Sequence, residues 1–162
     1  MFIRRNQLYI IIAVIVFLMA AFIIYSIYNK DNSKDESKDV IVLVEDFGST
    51  LKNVSLLAPR DLVIEAIEAN YSPYVTDELM QSWLAHPRRA PGRTTSSPWP
   101  ERIEITEVVR LSEGEFSVKG RIVEVTSSEA GGGAAVYRPV ELIVRKVGNK
   151  WLIDDIRVGN YE

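Results

Sequence analysis

The side chains able to do chemistry gather in two places. Residues 86–100 read H-P-R-R-A-P-G-R-T-T-S-S-P-W-P, and with nearby Arg102 they set Arg88, Arg89, Arg93 and Arg102 around Trp99. Counting Glu101 against the four arginines leaves +3 over residues 86–102, while residues 59–85 hold Arg60 against Asp61, Glu65, Glu68, Asp77 and Glu78, a net of −4. Guanidinium forks grip carboxylates through paired hydrogen bonds, and an exposed Trp offers a large rigid contact. The chemistry expected here is recognition, a patch for a protein partner or an anionic polymer. In the competing arrangement Trp99 plugs the core and the arginines pair with the helix carboxylates.

The second place is acidic, comprising Asp154, Asp155 and Glu124. Neighbouring side chains of a regular strand point to opposite faces, so at most one of the two aspartates looks inward. Asp155 with Glu124 would form a buried carboxylate site, and burial raises a carboxyl group's pKa towards general acid–base use. The plainer expectation leaves these carboxylates at the surface near Arg157 or Arg145. His86 is the one histidine and has no second ligand at helical spacing, so no metal site and no catalytic residue is assigned. The absence of cysteine excludes disulfides, Cys-ligated zinc and thiol catalysis together. No cofactor is implied. From Val40 onward 14 basic residues face 18 acidic ones, a net of −4 that argues against a nucleic-acid surface.

These groups must be positioned by a chain with three parts. Leu8–Tyr28 is 21 residues without a charge, proline or glycine. A helix of that length reaches roughly 30 Å, the thickness of a bilayer's hydrocarbon core, with Tyr9, Tyr25 and Tyr28 near its ends at the headgroup level. The expectation is an uncleaved signal anchor over 8–28. Residues 1–7, with Arg4 and Arg5, form a short cytoplasmic tail, and the remaining chain lies outside the cell membrane. The charge counts on the two sides are nearly equal and favour this direction weakly. Residues 29–39 (N-K-D-N-S-K-D-E-S-K-D) contain no apolar side chain and are read as a solvated tether. Residues 40–162 then make one domain of about 120 residues, enough for a single core.

Within that domain Val40, Leu43, Val44, Phe47, Leu51 and Val54 recur at intervals of three and four, the stripe of an amphipathic helix, although a β-branched start leaves a strand open. Pro59 opens a second helix to Tyr71, facing Val63, Ala66, Ile67 and Tyr71 inward. Thr76 caps a third, with Asp77 and Glu78 at its positive end and Leu79, Met80, Trp83 and Leu84 along it. After the long loop come four strands. Arg102–Leu111 puts Ile103, Ile105, Val109 and Leu111 on one face; Phe116, Val118 and Ile122 then give way to Val123 and Val125, a parity switch that predicts a bulge. Ala130–Ala135 is a hairpin tip, Val136–Val147 is the third strand and Trp151–Val158 the fourth. Short links make consecutive strands antiparallel neighbours.

The fold class is therefore α+β: a membrane helix, then two or three helices on a bent four-stranded antiparallel meander. That order, with the ending Trp151-Leu152-Ile153-Asp154-Asp155-Ile156, resembles the nuclear transport factor 2-like (cystatin-like) superfamily from Val40 to the end. The resemblance implies a curved sheet wrapped around the helices as a cone, with Asp155, Glu124, Trp83 and Trp151 as candidates for its interior. The stretch A-P-G-R-T-T-S-S-P-W-P-E-R-I-E-I also resembles uncharacterised membrane-anchored proteins of spore-forming bacteria, and the layout resembles inner-membrane assembly factors of conjugation machines. The superfamily holds isomerases, dehydratases and many non-catalytic modules, so fold alone does not choose among them. Two functions are expected: a membrane-tethered, non-catalytic binding or assembly module with a protein partner in the cell envelope, or a small-molecule enzyme or lipid binder using the cone interior. A cone filled by Trp83, Trp99 and Trp151 favours the first.

Overall fold

The computed structural model describes residues 5–128 and 136–161, with side chains at 14–22, 36–128 and 136–161. The chain divides into two compact units, Met1–Lys38 and Asp39–Glu162. Helix α1 spans Arg5–Thr50 and takes in residues 29–39, so the stretch read as a tether is helical. Extending an existing helix avoids the cost of nucleation, and in sequence Asp31 and Lys34, like Asp35 and Lys38, stand at a helix-compatible spacing of three. In the first unit Val14, Ile15, Val16, Phe17, Leu18, Met19 and Phe22 are each more than half exposed. Among the described residues no helix is long and apolar enough to cross a membrane. The side chains of 8–13 and 23–28, and the hairpin tip expected at 130–135, lie outside the described residues.

In the second unit the predicted stripe is the core. Val40, Val44, Phe47, Leu51 and Val54 are fully buried along the end of α1 and the 3-10 turn Leu51–Asn53 that follows it. Helix α2 (Arg60–Tyr71) buries Val63, Ile67 and Tyr71, with Pro59 as its N-cap and not its first helical residue. Helix α3 (Asp77–Ala85) buries Leu79, Met80 and Trp83, and the Leu79 amide donates to the Thr76 hydroxyl that caps it. Phe47 lies at the centre of an aromatic group, its ring 5.0 Å from Tyr71, 6.2 Å from Tyr74 and 6.5 Å from Trp83.

The sheet is a meander in the order β1 (Trp99–Ser112), β2 (Glu115–Val125), β3 (Val136–Val147), β4 (Lys150–Val158). All neighbours are antiparallel. The bulges fall elsewhere than expected. The β2–β3 register runs unbroken, so β2 carries no parity switch against β3; Ile122, Val123, Glu124 and Val125 are buried on both faces. The irregularities lie in β1, between Pro100/Arg102, Ile105/Glu107 and Arg110/Ser112, and opposite Ile143/Val144 in β4. The shift at Thr106 turns Val108 towards the core and leaves Val109 and Leu111 exposed, which corrects the single apolar face expected for this strand. In β4 the extra residue lets Trp151 and Ile153, then Ile156 and Val158, meet one core.

Helix and sheet approach closely at Gly48, where an added Cβ would lie 2.7 Å from the Ile103 backbone nitrogen. Alanine favours a helix over glycine by about 1 kcal/mol, yet overpacking against backbone costs about 1–3 kcal/mol. Gly48→Ala is therefore expected to lower the midpoint of thermal unfolding; an unchanged or raised midpoint would mean that the helix stands off from β1.

Candidate functional site

The proline-rich loop is stitched down on both sides. The short turn between α2 and α3 folds them into a helical hairpin, bringing the start of one beside the end of the other. Arg60 Nη2 accordingly donates to the terminal α3 carbonyls of Leu84 at 3.2 Å and Ala85 at 3.4 Å, groups that a helix end leaves without intrahelical partners. Pro87–Arg89 then forms one 3-10 turn. Beyond it the buried Tyr71 hydroxyl donates to the Pro91 carbonyl at 2.7 Å, and burial pushes that phenol's pKa far up. The Leu56 amide donates to the Arg93 carbonyl at 2.9 Å and the Arg93 amide to the Val54 carbonyl at 2.8 Å. Gly92 permits this pairing, since a Cβ there would lie 2.6 Å from the Val54 carbonyl oxygen.

This stitching frames a pocket of about 460 Å³ lined by Leu56, Ala58, Arg60, Val63, His86, Pro87, Arg88 and Arg89. Its surface is mostly apolar; Arg60, His86, Arg88 and Arg89 are among the lining residues and no carboxylate is. Arg88 and Arg89 are exposed and pair with no described carboxylate. The expected pairing of these two arginines with the helix acids is absent among the described residues.

The rest of the predicted patch does not assemble there. Arg93 is half-buried within the loop, its side chain reaching the Ser96 carbonyl at 3.4 Å. Arg102 lies on the sheet, 2.6 Å from Glu104, which also takes Arg121 at 2.8 Å. The hydrogen bond from Arg102, then that from Arg121, holds the Glu104 carboxyl below its usual range. Trp99 opens β1 opposite Val125, half-buried, with its indole N–H 3.3 Å from Glu101. It neither plugs the core nor joins Arg88 and Arg89. A hydrogen bond from Lys52 is the main cause lowering the Glu101 pKa.

The acidic candidates separate as well. Glu124 is 2% exposed and pairs with Arg138 at 2.8 Å, whose guanidinium stands 5.1 Å from the Tyr161 ring. Asp155 is near the surface, 3.2 Å from Arg157, and Asp154 takes Arg145 at 2.6 Å and the Thr76 hydroxyl at 2.9 Å. Asp155 lies opposite Ile143 and Glu124 opposite Val136, seven residues apart on β3, or roughly 23 Å at about 3.3 Å per residue. They cannot act on one substrate atom as a pair. Trp83 and Trp151 are buried, at 2% and 8% exposure, with Trp151 edge-on to Phe116. Among the described residues no group of His, Asp and Glu could hold a metal ion.

Of the expected patch, Arg88 and Arg89 line this pocket, whereas Arg60 and the apolar floor were not among the expected residues. The signal that could have found them was the α2–α3 hairpin, whose short turn obliges Arg60 to meet the residues after Ala85. No family model and no curated protein matches the chain. It is similar to the solved structure of a designed protein, Rd1NTF2_05 with five substitutions, at 19% identity over 78% of this chain and 99% of that one, with a TM-score of 0.39.

Proposed function

We propose that this chain is a membrane-tethered, non-catalytic binding module. Residues 8–28 hold it in a bilayer, and the folded unit engages a protein partner of the cell envelope through the pocket rimmed by Arg60, Arg88 and Arg89. The observation that carries this reading is the contrast between an interior packed with buried aromatic side chains and an open, mostly apolar pocket with three arginines among its lining residues. Phe47, Tyr71, Trp83, Phe116 and Trp151 occupy the space between helices and sheet, whereas Arg88 and Arg89 face outward without acidic partners. The buried carboxylate of the interior, Glu124, is held in an ion pair with Arg138 and not turned towards an open cavity among the pockets described. The uncharged run Leu8–Tyr28, with the exposed side chains of 14–22, supports the tether, because contiguous exposed apolar surface marks a membrane or protein contact. The same reading places the unit in the nuclear transport factor 2-like superfamily, on the order of helices followed by a bulged four-stranded meander.

The test uses the full chain in its native membranes, with a photoreactive side chain at position 88 or, as a control, at position 107 on the exposed part of β1. The expected result is a discrete protein adduct at 88 and none at 107, with the chain resisting extraction by alkaline carbonate. Equal labelling at both positions, or no adduct at 88, would remove the pocket from the proposal. Release by carbonate would remove the tether.

A further inference from the structure

We infer that the pocket recognises an acidic–apolar peptide segment, one carboxylate side chain held at the Arg88–Arg89 rim and a neighbouring large apolar side chain seated on the floor of Leu56, Ala58, Val63 and Pro87. This rests on the binding-module reading and names the chemistry of its partner.

Three observations select that occupant. The first is charge. Arg60, Arg88 and Arg89 are among the lining residues and no carboxylate is, so the charge the pocket complements is an anion. An apolar floor beneath a fork-shaped cation matches a ligand with both characters, and Arg suits planar carboxylates. The unit around the rim is itself net acidic, with 14 basic against 18 acidic residues from Val40 onward. An extended anionic lipid surface, which attracts basic clusters, would repel such a unit, while a single carboxylate feels mainly the local arginines.

The second observation is size. About 460 Å³ falls in the lower half of the range of roughly 300–1,000 Å³ typical of small-ligand pockets, space for side chains and not for the face of a folded domain. The third concerns the backbone. Around the pocket most amides are already used: Leu56 N–H by the Arg93 carbonyl, Ala58 by Ser55, Val63 by Pro59, His86 by Ser82, Arg89 by His86 and Ala90 by Pro87. The segments around it are the helix α2 and the turn Pro87–Arg89 and not a strand edge, so recognition falls to side chains. Leu57 and Leu62, each next in sequence to a floor residue, are 60% and 55% exposed and extend apolar surface beyond the pocket.

The experiment displays a random decapeptide library against the full chain held in nanodiscs of neutral lipid, in parallel with Arg88→Ala/Arg89→Ala and Ala58→Trp. The first variant removes the cations; the second fills a half-exposed floor position and leaves the rim intact. Circular dichroism and unfolding midpoints confirm that each is folded. Selected peptides are expected to carry Asp or Glu within a few residues of a large apolar side chain. Their affinity should fall at least tenfold on replacing the acid by its amide, and at least tenfold with either variant. Selected peptides without an acid requirement, or equal binding by the double arginine variant, would overturn the inference. So would binding that is seen with vesicles of anionic lipid and not with any peptide. If crosslinking at position 88 still captures a protein while no acidic peptide is selected, the chemical class is wrong and the binding module stands. If peptides are selected as expected but no adduct forms at 88 in membranes, the pocket chemistry stands and the envelope partner is lost.

Discussion

Phe47→Ala is expected to lower the unfolding free energy of the folded unit by about 3–5 kcal/mol, the range for removing a fully buried aromatic side chain. Phe47 has no exposed surface and lies beside Tyr71, Tyr74 and Trp83, so one deletion strips contacts from α1, α2, the turn after it and α3 together. Its neighbours cannot collapse into the gap easily. Tyr71 is fixed through its hydroxyl to the Pro91 carbonyl, and Gly48, next to it, is already against the Ile103 backbone. The loss is a large part of a typical total of about 5–15 kcal/mol. The Arg88→Ala/Arg89→Ala variant should change stability by no more than about 0.5 kcal/mol, because both groups are exposed and pair with no described carboxylate. Urea unfolding followed by far-ultraviolet circular dichroism measures both. If the arginine variant lost more stability than Phe47→Ala, the roles of core and rim would be reversed, with the loop as structure.

Much of the fold was legible because it rests on repeated, local signals. The apolar stripe from Val40 to Val54 has a period that no strand can match over that length, so the helix could be read despite its β-branched start. Thr76 followed by Asp77 and Glu78 announced a helix start that the hydroxyl cap on Leu79 realises. The misplaced bulges have a different origin. A bulge is defined by two strands together, and the apolar pattern of β2 looked like a parity switch only because Val123 and Val125 are buried on the face opposite the core. The real shifts are in β1 and β4, where polar residues at Thr106 and at Asp154-Asp155 give no apolar marker of the change. The helical backbone of residues 29–39 was not legible because composition speaks of solvation, not of backbone state. A polar stretch that flanking segments hold in register can continue as helix.

The site was half legible for a related reason. Charge clustering in sequence pointed to five residues, but a surface patch depends on which strand or turn carries each side chain. Arg102 is claimed by Glu104 across a single intervening residue on β1, and Trp99 belongs to the sheet. Arg88 and Arg89 remain because the 3-10 turn sets them beside the α2 start. Their partner Arg60 is 28 residues away in sequence from Arg88, and tertiary pairing of two helices supplies the link.

Glu124→Leu is expected to destabilise the unit by about 3 kcal/mol, whereas Glu124→Leu with Arg138→Leu should cost less than about 1 kcal/mol. Glu124 is almost fully enclosed and Arg138 is 12% exposed, with 2.8 Å between their charged groups. Removing one partner leaves a mostly buried guanidinium without its counter-charge, which typically costs about 3–5 kcal/mol; the residual exposure of Arg138 and the Tyr161 ring beside it place this case at the low end. Replacing both by apolar side chains removes the desolvation penalty along with the attraction, so the two terms largely cancel. A double-mutant cycle by urea unfolding near neutral pH reads the coupling directly. Peptide binding at the Arg88–Arg89 rim should be unchanged in the double variant, because neither Glu124 nor Arg138 lines that pocket. If instead the double variant lost as much stability as the single one, the pair would be a packing element and not an electrostatic one. If the double variant kept its stability but lost binding, Glu124 would be part of a functional interior and the filled-core reading of this protein would fail.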